Sequence, residues 1–252
     1  MRIEHLYRYP VKGLTPEALD TVAVETGEML PWDRAFALAQ GDSRFDPEQP
    51  DWVPKTNFLC LMANARAAAL CARFDPARRI LVLHAPDGAA IEADLRTAEG
   101  RDRAAAFLTA FLGPEARGQP RFHHIPGHAF SDVKQKVLSL INEASLRALE
   151  ARVGAPRHRL RFRANVYFSG APAWSEFDWI GRSLQLGSAR LRVVKRIVRC
   201  KATEVNPQTA ERDAETVAEL RREFGHTDMG IYAEVTDGGR LAVGDGMELL
   251  PE

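Results

Sequence analysis

Cys200 follows an apolar run, Val193 to Val198, and stands between Arg199 and Lys201. Two flanking cations favour the thiolate over the thiol. A thiolate is a nucleophile and a soft metal ligand, whereas a lone cysteine in a core is a small inert hydrophobe. Upstream, Arg157, Arg159, Arg161 and Arg163 alternate. On an extended segment all four would point to one side, a row of forks able to clamp a phosphate. A plainer account is a solvated basic face neutralised by an acidic segment downstream. Residues 152–201 carry ten Arg and two Lys against Glu176 and Asp178, while residues 202–228 carry seven acidic residues against three Arg. The residues alone leave both accounts open.

Other chemistry is thinner. Lys12 sits where Tyr9-Pro10-Val11 runs into Gly13, and Asp33-Arg34 precedes the apolar run Ala35 to Ala39. His123, His124 and His128 have no Cys or carboxylate at ligand spacing and are expected to be surface histidines. Cys60 and Cys71 lie in apolar or Ala-rich surroundings and are expected in the core. There is no P-loop, no GxGxxG after a strand, no GxSxG and no HExxH.

Bulk properties bound the reading. The chain has 252 residues, 45% hydrophobic and 27% charged, so it can bury a large core without staples. Its 34 basic and 34 acidic side chains cancel, which argues against nucleic acid as a partner, because phosphate backbones need surplus positive charge. Three cysteines imply a reducing compartment. The N-terminus has no apolar run and no stretch is long enough to span a bilayer, so no membrane association and a cytoplasmic location are expected.

The elements that must position these residues are mostly short strands, expected near 2–9, 21–25, 35–40, 79–84, 89–94, 161–168, 183–187 and 190–198. Ala-rich stretches near 62–73 and 102–112 read as helices, the second stopped by Gly113-Pro114. Residues 113–127, rich in Pro and Gly, read as a connection. A helix over 143–153 has Asn142 as N-cap and Gly154 as stop. A polar helix is expected over 211–224, then a hairpin over 230–250 turning at Asp237-Gly238-Gly239. Strands without regularly interleaved helices point to barrel-like β structure with a few helices rather than a doubly wound sheet.

These motifs together resemble the MOSC superfamily, named for the C-terminal domain of molybdenum-cofactor sulfurases. Ile3 to Leu14, IEHLYRYPVKGL, with the later Asp33-Arg34, is similar to the N-terminal β-barrel domain that precedes MOSC domains. The run from Asn142 to Leu149, the strand Arg161-Phe162-Arg163-Ala164-Asn165, the signature Arg199-Cys200 with Thr203, Val205, Pro207 and Thr209, and the closing Gly230-Ile231-Tyr232 and Val243-Gly244-Asp245 are similar to the MOSC domain itself. The resemblance implies a mainly β (α+β) fold with an N-terminal β-barrel-like domain over 1–125 and a MOSC β-barrel domain over 126–252.

By architecture the nearest functional analogues are amidoxime-reducing components and bacterial reductases of N-hydroxylated bases. The resemblance implies a molybdenum–molybdopterin cofactor, with Cys200 as both metal ligand and catalytic position. It implies that Lys12, Arg34, Arg163, Asn165 and Arg199 hold the pterin and its phosphate, with Asn142, Ser145 and Tyr232 as further contacts. The small substrate would be an N-hydroxylated or N-oxide compound, and electrons would come from a separate donor protein. Pyridoxal phosphate is not expected. A persulfide carrier on Cys200, or a cofactor carrier without turnover, is the alternative. Neither a ferredoxin domain nor a membrane anchor is expected. Three departures stand out: Ala210 where the signature has Gly, Met229 in place of an aromatic residue, and Lys55-Thr56-Asn57-Phe58 in place of a Thr-Arg pattern. The last is expected to shape the substrate side.

Overall fold

The computed structural model describes residues 1–251. In chain order the strands are β1 (Arg2–Arg8), β2 (Glu17–Leu19), β3 (Thr21–Val24), β4 (Phe36–Ala39), β5 (Cys71–Asp75), β6 (Ile80–His84), β7 (Ala90–Asp94), β8 (Arg121–His124), β9 (Leu138–Asn142), β10 (Val166–Ser169), β11 (Ser183–Leu186), β12 (Ala189–Val198), β13 (Asp228–Asp237), β14 (Gly239–Ala242) and β15 (Met247–Leu249). Three α-helices interrupt them among the described residues: α1 (Ala98–Leu112), α2 (Glu143–Val153) and α3 (Thr216–Phe224). The fold is mainly β, as expected. No helix among the described residues is long and apolar enough to cross a membrane.

One eight-stranded sheet, in the order β15-β11-β12-β13-β9-β10-β1-β2, organises the molecule. All five residues of its central strand β9 are buried, because both faces are covered. Leu138 and Leu140 join the core of Ile3, Leu6, Val166, Leu191 and Ile231 on one face. Ile141 packs on the other with Leu146 and Leu149 of α2 and Leu220 of α3. Gly230 lets β13 cross β9 closely: its φ is +79° and a Cβ there would lie 2.3 Å from the Leu140 carbonyl oxygen. The expected caps of α2 are present. Asn142 Oδ1 accepts from the Ala144 amide at 3.0 Å, and Gly154 is left-handed, donating to Glu150.

A boundary in sequence is not a boundary in space. β1 pairs with β10 and β2 with β1, extending the sheet built by the second half, and β3 pairs with β14 in a separate two-stranded sheet. The rest of the first half has its own core, in which Leu38, Leu81, Leu83 and Phe122 of the strand pairs meet Leu108 of α1.

Several local expectations are overturned. Residues 62–73 are not a helix. A short 3-10 turn, Ala65–Ala69, precedes β5, which pairs with β6. Alanine's helix propensity is a weak prior that strand pairing overrides. Residues 161–168 are not one strand. A 3-10 turn, Arg159–Phe162, ends in left-handed Arg163, and β10 starts only at Val166. The polar helix begins at Thr216, because Arg212 is held by a bridge to Val205. The terminal hairpin does not close: β14 leaves β13 and pairs with β3, Leu241 opposite Val22.

Candidate functional site

A cavity of about 360 Å³ opens where the two sequence halves meet. Lys12, Arg34 and Lys55 line it from the first half, and Arg161, Arg163, Lys195, Arg196 and Arg199 from the second. Asp132 is the only carboxylate among the described lining residues. The zero net charge of the chain therefore conceals one strongly cationic pocket.

Cys200 lines this cavity, half-buried, at the end of β12. Its carbonyl accepts from the Thr203 amide at 3.0 Å and the Thr203 hydroxyl at 2.9 Å, fixing the turn that carries the thiol. The cation on the sulfur is neither sequence neighbour. Lys55 Nζ donates to Cys200 Sγ at 3.2 Å. Arg199 turns inward instead, donating to the Phe162 carbonyl at 2.9 Å and through both Nε and Nη2 to the Met229 carbonyl. Lys201 is exposed. Lys55 lies in the stretch that departs from the family's Thr-Arg pattern, but nothing in its spacing connects it to Cys200.

The ammonium of Lys55 also donates to Asp132 Oδ2 at 3.0 Å, while Lys12 Nζ donates to Asp132 Oδ1 at 2.5 Å and to the Phe130 carbonyl at 2.9 Å. Lys12 and Cys200 are thus joined through one carboxylate and one lysine. Burial lowers the pKa of Lys12, with Asp132 opposing it. Burial also works against the charge of Lys55, but Asp132 and Cys200 outweigh it and raise that pKa. For Asp132 burial opposes ionisation, and the two lysines overcome it, holding the carboxyl well below its ordinary range.

Two further lining arginines stack on the buried Tyr9 ring, Arg34 Cζ at 4.4 Å and Arg163 Cζ at 4.3 Å from its centroid. Arg34 pairs with Asp33 and donates to the Arg163 carbonyl at 2.8 Å. Arg163 donates to the Leu14 carbonyl at 2.8 Å. Both arginines are left-handed, with φ of 50° and 51°, a conformation that costs a residue bearing a Cβ on the order of 1 kcal/mol. Burial, with Arg34 adding repulsion, lowers the Arg163 pKa to about 10. Arg34 is raised despite burial, because Asp33 sits against it. Arg163 Nη2 is buried without a partner among the described residues, and such a donor costs free energy unless an acceptor reaches it.

The remaining candidates divide. Tyr232 lines the cavity, its phenol pKa raised by burial. Asn165 also borders it, but its amide rivets the sheet: Oδ1 accepts from the Ser139 amide at 3.1 Å and hydroxyl at 2.8 Å, and Nδ2 donates to the Tyr7 carbonyl at 3.2 Å. Asn142 and Ser145 do not reach the cavity. Both are fully buried around Glu176, Asn142 Nδ2 donating to it at 3.1 Å and Ser145 Oγ at 2.7 Å. They join α2 to the segment after β10. The alternating arginines also part company. Arg157 pairs with Glu219 at 2.5 Å, Arg159 with Glu143 at 3.3 Å and Arg161 with Asp213 at 2.6 Å. The basic segment is therefore partly neutralised by the acidic one, and only Arg161 and Arg163 of the four line the cavity.

Cys60 is buried in the cavity wall, whereas Cys71 is exposed at the start of β5, contrary to expectation. His123 and His128 pack on Phe45, and His124 on Phe36. No group of three or more His, Cys, Asp or Glu able to hold a metal occurs among the described residues.

The family descriptions "MOSC domain" and "MOSC N-terminal beta barrel domain" match residues 121–248 and 1–115. The chain belongs to the MOSC domain family. This MOSC chain is 30% identical over 120 residues to mitochondrial amidoxime-reducing component 1 of Xenopus laevis, covering 43% of the chain and 34% of that protein. It is 30% identical over 140 residues to the molybdenum cofactor sulfurase of Drosophila melanogaster, covering 52% of the chain and 17% of that protein. The matches therefore span about a third or less of the length of these curated relatives. Among solved structures, the YuaD protein of Bacillus subtilis covers 98% of the MOSC chain, and the match covers 94% of that protein, with TM-score 0.47 and 16% identity.

Proposed function

We propose that this chain binds a molybdopterin-type cofactor and acts as a reductase of N-hydroxylated or N-oxide compounds, receiving electrons from a separate donor protein. The observation that carries the reading is convergence: Cys200, held at the end of β12, shares one cationic cavity with Lys12, Arg34 and Arg163 from distant parts of the chain. The residues fit the group. Its phosphate and polar ring need cationic forks and a buried donor awaiting an acceptor, which Arg163 Nη2 supplies. Its metal needs a soft sulfur ligand, which Cys200 would provide.

When bound, the cofactor supplies two-electron redox chemistry at the metal. The protein's part is binding, orientation and charge. Arg34 and Arg163, locked against Tyr9, would clamp the pterin, and Tyr232 would border the ring. Lys55 would hold the Cys200 sulfur in place through its hydrogen bond. In the net reaction an N–OH substrate takes up two electrons and two protons and leaves as the N–H compound and water.

Molybdenum analysis of protein made in a cofactor-competent host tests the binding half, and turnover of an amidoxime with an artificial donor tests the enzyme half. Absence of molybdenum from wild-type protein would sink both. A second reading, a persulfide carrier, is favoured by the half-exposed Cys200 in hydrogen-bond contact with a lysine. It predicts a thiol-removable sulfur on Cys200 and no turnover in metal-loaded protein.

A further inference from the structure

The lining of the cavity holds its cations in two ways. Arg34 and Arg199 spend their donors on backbone carbonyls and Asp33, and Arg163 keeps one nitrogen without a partner among the described residues. Lys12 and Lys55 instead share a single carboxylate, Asp132, one oxygen each. Lys12 is only 5% exposed, and a buried ammonium requires a counter-charge. No other carboxylate among the described residues lines the cavity.

Asp132 belongs to the segment 131–137, which lies outside every strand and helix between buried Phe130 and the start of β9. Phe130 is pinned, its amide donating to the Arg34 carbonyl at 2.8 Å. The Asp132 side chain, 43% exposed, would regain water on leaving. Val137 buries the end of the segment, and its other side-chain ties, Lys134 to Asp51, Lys136 to Glu28 and Lys195 to Gln135, are solvent-exposed and weak for that reason.

We propose that Lys12 and Lys55 form an oxyanion subsite beside Cys200, for which Asp132 is a built-in counter-ion that a phosphate group displaces. The inference rests on reading the cavity as an anion-binding site and adds how that site is gated. A phosphate presents more than two oxygens and a larger charge than a carboxylate, so it can satisfy both lysines at once. Because Lys55 also bonds Cys200 Sγ, the bound anion would lie one hydrogen-bonded residue from the thiol.

The probe is inorganic phosphate on cofactor-free protein, followed by titration calorimetry. Asp132→Asn is expected to bind phosphate at least about tenfold more tightly than wild type, since the competing charge is gone. Adding Lys12→Met to that variant is expected to abolish the gain. Unchanged or weaker binding in Asp132→Asn overturns the proposal.

Hydrogen exchange on the wild type gives a readout that needs no variant. Saturating phosphate, against chloride at equal ionic strength, is expected to speed exchange in 131–137, and unchanged or slower exchange overturns the idea. The cofactor reading is judged separately by molybdenum content. Molybdenum-free protein that still shows gated phosphate binding sinks that reading and leaves the subsite. Molybdenum-loaded protein in which Asp132→Asn changes nothing sinks the subsite alone.

Discussion

The Tyr9 cluster and the Asp132 cluster of the cavity carry the same sign of cation but are built to different ends. At Tyr9, two arginines are fixed by backbone carbonyls and by stacking on one ring. Their geometry is set before any ligand arrives, which is what orientation requires. At Asp132, two lysines are held by one partly exposed carboxylate on an irregular segment. That arrangement neutralises charge without fixing a shape. A cavity can thus pair a rigid clamp with an adjustable one, and the choice of arginine or lysine follows the division, since a planar fork keeps its geometry where an ammonium does not.

The harshest test removes the sulfur that Lys55 of the Asp132 cluster contacts. Cys200→Ser is expected to lower turnover of an N-hydroxylated substrate by at least about a hundredfold while most pterin stays bound, because serine is a poor replacement for a soft ligand. Pterin fluorescence after denaturation and molybdenum analysis check it. Full turnover would remove Cys200 from the site.

Next, Arg157 and Arg163 separate structure from binding. Arg157 is 7% exposed and paired with Glu219, so Arg157→Ala should cost about 3 kcal/mol of stability by stranding a buried charge. Its pterin retention per folded molecule should stay near wild type. Arg163→Ala should lose retention by about tenfold. Urea denaturation and cofactor content on the same samples decide, and equal retention in the two variants would break the rigid-clamp account.

Two carboxyls, partly exposed Asp132 and buried Glu176, set opposite pH limbs. Asp132 is depressed in the folded state, so its contribution to stability is present above the ordinary carboxylate range and is lost as pH falls through the lowered value. Glu176 is raised by burial, with Ser145 and Asn142 only partly opposing. Its contribution is present in acid and lost as pH rises through the raised value. Urea midpoints across the acidic to neutral range should show Asp132→Asn flattening the acid limb and Glu176→Gln flattening the limb above it. A Glu176→Gln profile parallel to wild type would mean that Glu176 does not titrate there.

The smallest effect concerns the turn after the Cys200 signature. Ala210 has φ +60° and its amide donates to the Asn206 carbonyl at 2.9 Å, so the turn keeps a glycine-like conformation without glycine. Ala210→Gly should therefore raise stability by about 1 kcal/mol, by relieving left-handed strain. A stability loss on thermal denaturation would show that the turn is not strained.

Local chemistry accounts for what the sequence by itself determined. Asn142 before the Ala144 amide and Gly154 after Val153 announce both ends of α2 within a dozen residues. The alternation of β12 is visible because inward and outward side chains follow one another directly. The signature around Cys200 marked the sulfur, and its Thr203 turn is a contact three residues long. Long-range partnership was decided only by the tertiary structure. Lys55 meets Cys200 across 145 positions, and Asp132 reaches Lys12 across 120. Arg199, adjacent to the thiol in sequence, spends its donors on Met229 and Phe162. Glu176 claims Asn142 and Ser145. Spacing can say which way a side chain points along a strand. It cannot say which distant backbone will cross there with an unpaired carbonyl or carboxylate, and burial makes that partner, rather than the sequence neighbour, decide where a charge settles.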